Sequence, residues 1–276
     1  MSQAESLLAV AVEAAEMAGG LLLERARGGG EQGVSSKSTP TDLVSEADLA
    51  SERAIRELLA KRRPDDGFIG EESEAETGTS GLDWVVDPLD GTVNFLFGIP
   101  QWCVSVAVRD SVETLAGAVF DPNRGELFTA FKDGPALLRG LAGTIELRGR
   151  MGDPRGGDGA SGEDDELSRA MVATGLAYDA TVRAAQAQVL SRLVPQVRDI
   201  RRFGSAALDL SWTAVGRYDA YFERTVKPWD IAAGALICER AGLRVLELQP
   251  AENLPWGILV ARDGLAELLH ELVAGA

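Results

Sequence analysis

The chain holds one histidine and two cysteines in 276 residues, and aromatics make up only 6% of it. The lone histidine, His270, lies in the helical pattern Glu267-Leu-Leu-His-Glu-Leu and reads as a surface helix residue. That argues against a histidine-nucleophile phosphatase, a Ser-His-Asp hydrolase and a histidine-rich zinc centre. Two cysteines with no C-x-x-C spacing exclude a disulfide framework. Cys103 and Cys238 read as small apolar packing residues, and a reducing cytoplasm is the expected compartment. Basic residues are scarce too: 27 Lys and Arg stand against 43 Asp and Glu, a formal net charge of -16. Such a surface repels a phosphate backbone, so no general nucleic-acid binding is expected. It also repels small anionic substrates, unless bound cations reverse the local sign. The first residues lack the basic region of a signal peptide, and no apolar run is expected to reach the length that spans a bilayer. No Gly-Lys-Ser/Thr run occurs, which removes a Walker-type phosphate loop.

What is present is a 45% hydrophobic chain, enough for a sizeable core in one or two domains. Leu8, Val12, Ala15, Gly19 and Leu22 recur at helical spacing, and Gly28-Gly29-Gly30 ends that helix. Ser45-Glu46-Ala47-Asp48 carries the N-cap signature of a second helix, which stops before Pro64. Strand patterns follow at Trp84–Asp87, Val104–Arg109, Leu115–Phe120 and Glu126–Phe131. Turn signals such as Asp121-Pro-Asn-Arg-Gly125 separate them, the mark of an antiparallel meander. Residues 152–166 are Gly-rich and acidic and read as a solvated loop. Beyond them, strands at Met171–Thr174, Asp199–Arg202, Tyr218–Glu223, Leu243–Leu248 and Gly257–Ala261 alternate with helices. The helices fall at Val182–Leu193, Ser205–Val215, Pro228–Arg240 and from Gly264, so an α/β unit with a partly parallel sheet is expected. The expected division is an α+β half at 1–150, a loop at 151–167 and an α/β half at 168–276.

Acidic residues in separated segments carry the chemistry. Asp87-Pro-Leu-Asp90-Gly91-Thr92 follows the apolar run Trp84-Val85-Val86. Pro88 removes a ladder donor and turns the chain out, and Gly91 supplies backbone freedom. The free amides of Gly91 and Thr92 open the next helical turn and suit a phosphate oxygen. Glu71 stands upstream in Gly70-Glu71-Glu72-Ser73, Asp42 in Thr41-Asp42-Leu43-Val44, and Asp230 far downstream in Lys227-Pro228-Trp229-Asp230. If folding joins them, their charge demands cations, and clustered carboxylate oxygens suit Mg²⁺ or Mn²⁺. Two rival readings fail on spacing. An aspartyl-phosphate phosphatase separates its aspartates by one residue, not two. An EF-hand counted from Asp87 needs an acid where Gly98 stands.

Taken in order, Lys37-Ser-Thr-Pro-Thr-Asp42-Leu-Val-Ser-Glu-Ala-Asp48, Gly70-Glu71-Glu72-Ser73, Trp84-Val-Val-Asp87-Pro-Leu-Asp90-Gly-Thr92-Val-Asn-Phe95 and Trp229-Asp230-Ile-Ala-Ala-Gly234 closely resemble the inositol monophosphatase family of Mg²⁺-dependent, lithium-sensitive phosphatases. Ile200-Arg-Arg-Phe-Gly204-Ser205-Ala206-Ala207 and Asp219-Ala-Tyr-Phe-Glu223 match as well. The resemblance implies a layered α-β-α-β-α fold, a homodimer and two or three Mg²⁺ ions, with Mn²⁺ as a substitute. It implies that Glu71, Asp87 and the Leu89 carbonyl hold one ion, and Asp87, Asp90 and Asp230 a second. It pairs Asp42 with Thr92 in orienting the attacking water and gives the phosphate to the Gly91 and Thr92 amides. Gly204, Ser205, Ala206 and Glu223 would then contact the alcohol part of the substrate.

Plainer roles stay open. Asp42 is also suited to capping a helix, Glu223 to ending a strand, Lys37 to solvent and Trp229 to packing. The expected activity is hydrolysis of an inositol monophosphate by a metal-activated water attacking in line. Fructose 1,6-bisphosphate, histidinol phosphate and 3′-phosphoadenosine nucleotides are alternative substrates handled by similar proteins. A regulatory binding protein is the reading from another class.

Overall fold

The computed structural model describes residues 2–28, 33–36, 43–149 and 163–274. Helix α1 (Gln3–Gly28) buries Leu7, Ala11, Ala14, Ala15, Ala18, Gly19 and Leu22 along one stripe. Five of those seven side chains are Ala or Gly, so the helix axis comes close to the sheet beneath it. A short hairpin, β1 (Val34–Ser36) with β2 (Leu43–Ser45), leads into α2 (Glu46–Arg62). Ser45 caps α2. Its hydroxyl accepts from the Ala47 amide, and the Asp48 carboxylate accepts from the Ser45 amide at 2.8 Å.

A seven-stranded sheet follows in chain order: β3 (Gly67–Gly70), β4 (Asp83–Asp90), β5 (Cys103–Arg109), β6 (Thr114–Asp121), β7 (Glu126–Phe131), β8 (Leu137–Gly140) and β9 (Gly143–Glu146). β3 and β4 pair in parallel, and the rest form an antiparallel meander. The pleat sends alternate side chains to two cores. Trp84, Val86, Val104 and Val106 pack under α1 and α2, whereas Val85, Ala107 and Phe128 face the other way. Helix α3 (Thr92–Leu96) leaves the end of β4.

The second sheet has the order β11 (Asp199–Arg201), β10 (Met171–Thr174), β12 (Ala220–Arg224), β14 (Gly257–Ala261), β13 (Arg244–Leu248). The first three are parallel, and β14 runs antiparallel to both its neighbours. Helices α6 (Ala206–Ala214) and α7 (Pro228–Arg240) fill the space between the sheets: Leu208 and Ile237 share one core with Val85 and Phe128 from the first sheet and Tyr221 and Val260 from the second. Helices α5 (Ala180–Leu193) and α8 (Leu265–Val273) cover the outer face through Val189, Leu193, Leu265 and Leu269. The result is the expected α-β-α-β-α layering; the first sheet, expected to be antiparallel, is so except for its parallel β3–β4 pair, and the second is mixed and partly parallel.

Three expectations are corrected. Of the stretch 152–166, residues 152–162 lie outside the described residues, and its end is not loop but the start of α4 (Glu163–Arg169). β3, β8 and β9 were not expected; at four residues each they are too short for a period-two pattern to register. α1 contains an 18-residue stretch with a mean hydropathy of 1.6 and is long and apolar enough to cross a bilayer, contrary to expectation. Its buried stripe packs on β5 and β6, as a core helix does. Arg224 is 2% exposed and ties the C-terminal region together. Its guanidinium donates to the carbonyls of Gln249, Pro255, Val273 and Ala274 at 2.7–3.1 Å, and to Leu248 at 3.4 Å.

Candidate active site

β4 is the hinge of the site. Its last residues emerge where the ladder to β5 slips: Asp87 pairs with Ser105, and the next pairing is Asp90 with Cys103. That irregularity frees Pro88 and Leu89 for a turn. The Asp87 carboxylate accepts from the Leu89 amide at 3.0 Å and shapes that turn. Gly91 then takes a left-handed φ of 100° at the N-cap of α3, a conformation open to glycine at little cost.

Asp90 joins this turn to the middle layer. It accepts from the Ser205 hydroxyl at 2.6 Å and from the Ala206 and Ala207 amides at 3.2 and 2.7 Å. Ser205 is the N-cap of α6 yet makes no capping bond with its own side chain. Asp90, 115 positions away in sequence, serves α6 as its cap instead.

These elements open onto a cavity of about 520 Å³. Of the residues singled out in the sequence, Glu71, Asp87, Leu89, Asp90, Gly91, Thr92, Gly204, Ala206, Glu223 and Asp230 line it. Ser205 stands behind the wall, 1% exposed, bonded to Asp90. Arg202, Lys227 and Thr225 line it too, and none of them was expected. Thr225 adopts a φ of 70°, a strained conformation for a β-branched residue and one that clusters at functional sites. Trp229 is partly buried against the central core, its carbonyl accepts from Ser105, and it lines the cavity as well, so it does more than pack.

Burial pushes the Asp87 carboxyl well above the usual range, and the charges of Glu71, Asp90 and Asp230 push it further. Burial likewise raises Asp90 to about 6, against the bonds from Ser205 and Ala207. It raises Asp230 strongly, with Asp90 and Glu71 adding to the effect. Glu223 rises to about 7 by burial, opposed by the Tyr221 hydroxyl and Arg202. Among the described residues no three such groups stand close enough together to enclose an ion as they are turned here. The cause is visible: Asp87 faces the Leu89 amide, Asp90 faces α6, and Asp230 accepts from the Lys227 amide at 2.7 Å. The donor set nevertheless fits a hard divalent cation. Mutually repelling carboxylates share one cavity, and positive charge placed there relieves the repulsion.

Thr92 has a partner that the sequence did not suggest. The Thr92 hydroxyl meets the Asp48 carboxylate at 2.8 Å, and Asp48 is held on its other oxygen by the Ser45 amide and hydroxyl. Asp42, expected in that position, lies outside the described residues. Asp48 was read only as part of a capping box, which hid its second use. The available signal was its spacing: as the third residue of α2 it could both cap the helix and reach across to the start of α3. Lys37 also lies outside the described residues.

Two layered sheets with an acidic cavity at the strand ends describe an enzyme of layered α/β architecture. The sequence matches the inositol monophosphatase family over residues 3–276, and the chain belongs to that family. It is 42% identical to the inositol-1-monophosphatase of Mycobacterium bovis, over 88% of this chain and 81% of that protein. It is 39% identical to the Nus factor SuhB of Pasteurella multocida, over 92% and 90%. The crystal structure of the extragenic suppressor protein suhB from Bartonella henselae superposes with a TM-score of 0.84 at 32% identity, covering 97% of this chain and 98% of that one.

Proposed function

We propose that this member of a phosphatase family hydrolyses the phosphomonoester of a small polyol, with an inositol monophosphate as the first candidate. The observation that carries the reading is the convergence of Glu71, Asp87, Asp90 and Asp230 on one cavity with Thr92 at its edge. Glu71, Asp87, the Leu89 carbonyl, Asp90 and Asp230 would hold Mg²⁺, or Mn²⁺ in its place. When bound, such ions activate a water, clamp the phosphate and stabilise the departing alkoxide.

The chain's own residues supply the rest. A hydroxyl has one proton, and the Asp48 carboxylate at 2.8 Å takes it in preference to the Leu89 carbonyl at 3.1 Å. The lone pairs of Thr92 are then left to accept from a water and aim it. The amides of Gly91 and Thr92 face a phosphate oxygen. Glu223 and the backbone near Gly204 and Ala206 meet the hydroxyls of the polyol. The large negative charge of the surface is no obstacle once cations fill the cavity.

A homodimer, inhibition by lithium and a cytoplasmic location belong to the same proposal. Purified protein with Mg²⁺ is expected to release phosphate from inositol 1-phosphate. Undiminished turnover in excess EDTA would falsify the metal mechanism. Rates compared across inositol 1-phosphate, fructose 1,6-bisphosphate, histidinol phosphate and a 3′-phosphoadenosine nucleotide decide the substrate. The name of the Pasteurella relative favours a second reading, in which the chain also works through a partner. That reading expects a Thr92→Ala variant, inactive on phosphate esters, to keep a stoichiometric partner in a pull-down.

A further inference from the structure

Helix α2 buries three polar side chains on one face. Asp48, Ser51 and Glu52 are 0%, 0% and 3% exposed, and their spacing of three and four residues stacks them together. Each reaches a different segment of the site. Asp48 meets the Thr92 hydroxyl. Ser51 donates to the Pro88 carbonyl at 2.8 Å, inside the turn between Asp87 and Asp90. Glu52 accepts from the Glu72 amide at 2.9 Å.

The last contact bears on Glu71. The Glu71 amide donates to the Val86 carbonyl at 3.2 Å, and the next amide, that of Glu72, is held by Glu52. Both peptide planes flanking the Glu71 Cα are therefore fixed, and with them the direction in which its side chain leaves the backbone. The fit on the other side is close as well. A Cβ on Gly70 would stand 2.3 Å from a Glu52 carboxylate oxygen, so the carboxylate rests against bare backbone.

We propose that Glu52 is a positioning residue for Glu71, and that α2 is the rail that aligns Thr92, the Pro88 turn and the Glu71 limb for ion binding. The inference rests on the metal reading given above. A carboxylate holds an amide more firmly than a neutral acceptor does, and Glu52 lines a separate groove together with Arg53 and Arg56, whose charges favour it there.

The test is a Mn²⁺ titration of the full chain without substrate, reading free ion by electron paramagnetic resonance. Glu71→Gln weakens binding if the metal reading holds. Glu52→Ala is then expected to weaken the same Glu71-dependent site about 10-fold, as loss of a ligand's supporting partner does. Added to Glu71→Gln, it is expected to change nothing further. Glu52→Gln, which keeps an acceptor for the Glu72 amide, is expected to retain most of the affinity. If Glu52→Ala does not fold, Glu52→Asp carries the test, because its carboxylate is one methylene short of the amide. Wild-type affinity in Glu52→Ala beside weakened Glu71→Gln overturns the inference and leaves the metal reading standing. Wild-type affinity in Glu71→Gln overturns both.

Discussion

Gly175, at the end of β10, offers a direct probe of how the cavity selects its alcohol. A Cβ built there would lie 1.9 Å from the Glu223 carboxyl carbon and 2.0 Å from each of its oxygens. Ordinary contact lies near 3.5 Å, so Gly175→Ala must drive the carboxylate back by about 1.5 Å. That movement breaks the 2.8 Å bond by which the Tyr221 hydroxyl orients Glu223. Misplacing a positioning group by about 1 Å costs up to 100-fold in rate. We therefore expect kcat/KM for inositol 1-phosphate to fall by about 10- to 100-fold, or roughly 1.4–2.8 kcal/mol. The displaced group is the far end of a flexible side chain, so the loss of stability is expected to stay below about 1 kcal/mol. The paired assay uses p-nitrophenyl phosphate, which has no polyol hydroxyl for Glu223 to bind. Its hydrolysis is expected to fall by less than about 3-fold. Equal losses on both substrates, or no loss on the inositol ester, would refute the assignment of Glu223 to the alcohol. Tyr221→Phe is expected to give the same pattern more weakly, since it removes the orienting bond and leaves the carboxylate in place.

Asp48→Asn is expected to reduce phosphate release by at least 100-fold, because the carboxamide no longer fixes the Thr92 proton; a rate within threefold of wild type counts against that dyad. Arg224→Met strips the partner from several carbonyls and is expected to cost about 3 kcal/mol. Calorimetry should then show a midpoint lower by roughly 6–12 °C, and a drop under 2 °C would contradict the account. At Asp66, burial raises the carboxyl, but bonds from Arg63, Ser80 and Trp84 outweigh it and hold it below its ordinary range. A lowered carboxylate adds stability above its ordinary pKa and loses it as pH falls through the folded value. The deficit of Asp66→Asn should therefore shrink below about pH 4 in acid melts. A deficit that is constant down to pH 2.5 would be inconsistent with that linkage.

The long elements were legible because their buried faces repeat at the period of the structure, as in the Ala stripe of α1 and the alternation of Val104, Val106 and Val108. Asp87 and Asp90 were legible for another reason: the proline and glycine beside them mark a turn that an ordinary strand end does not need, whereas Asp230 was read from the family resemblance of its segment. Asp48 was missed as a site residue because one carboxylate performs two jobs, and the local one explained the sequence fully. Ser51 and Glu52 were missed because a polar residue on a helix reads as solvated until something covers it, and only the packing of α2 against β4 does so. Arg202 and Thr225 enter the cavity through the meeting of segments remote in sequence, which no local pattern encodes.

The carboxylate of Asp90 begins a helix to which it does not belong. Any change of charge at that position therefore alters the footing of the central layer as well as the chemistry of the cleft. An engineer seeking an inert variant for partner studies would do better to silence Thr92, whose hydroxyl no helix start depends on, than to neutralise Asp90 and unsettle the join between the two sheets.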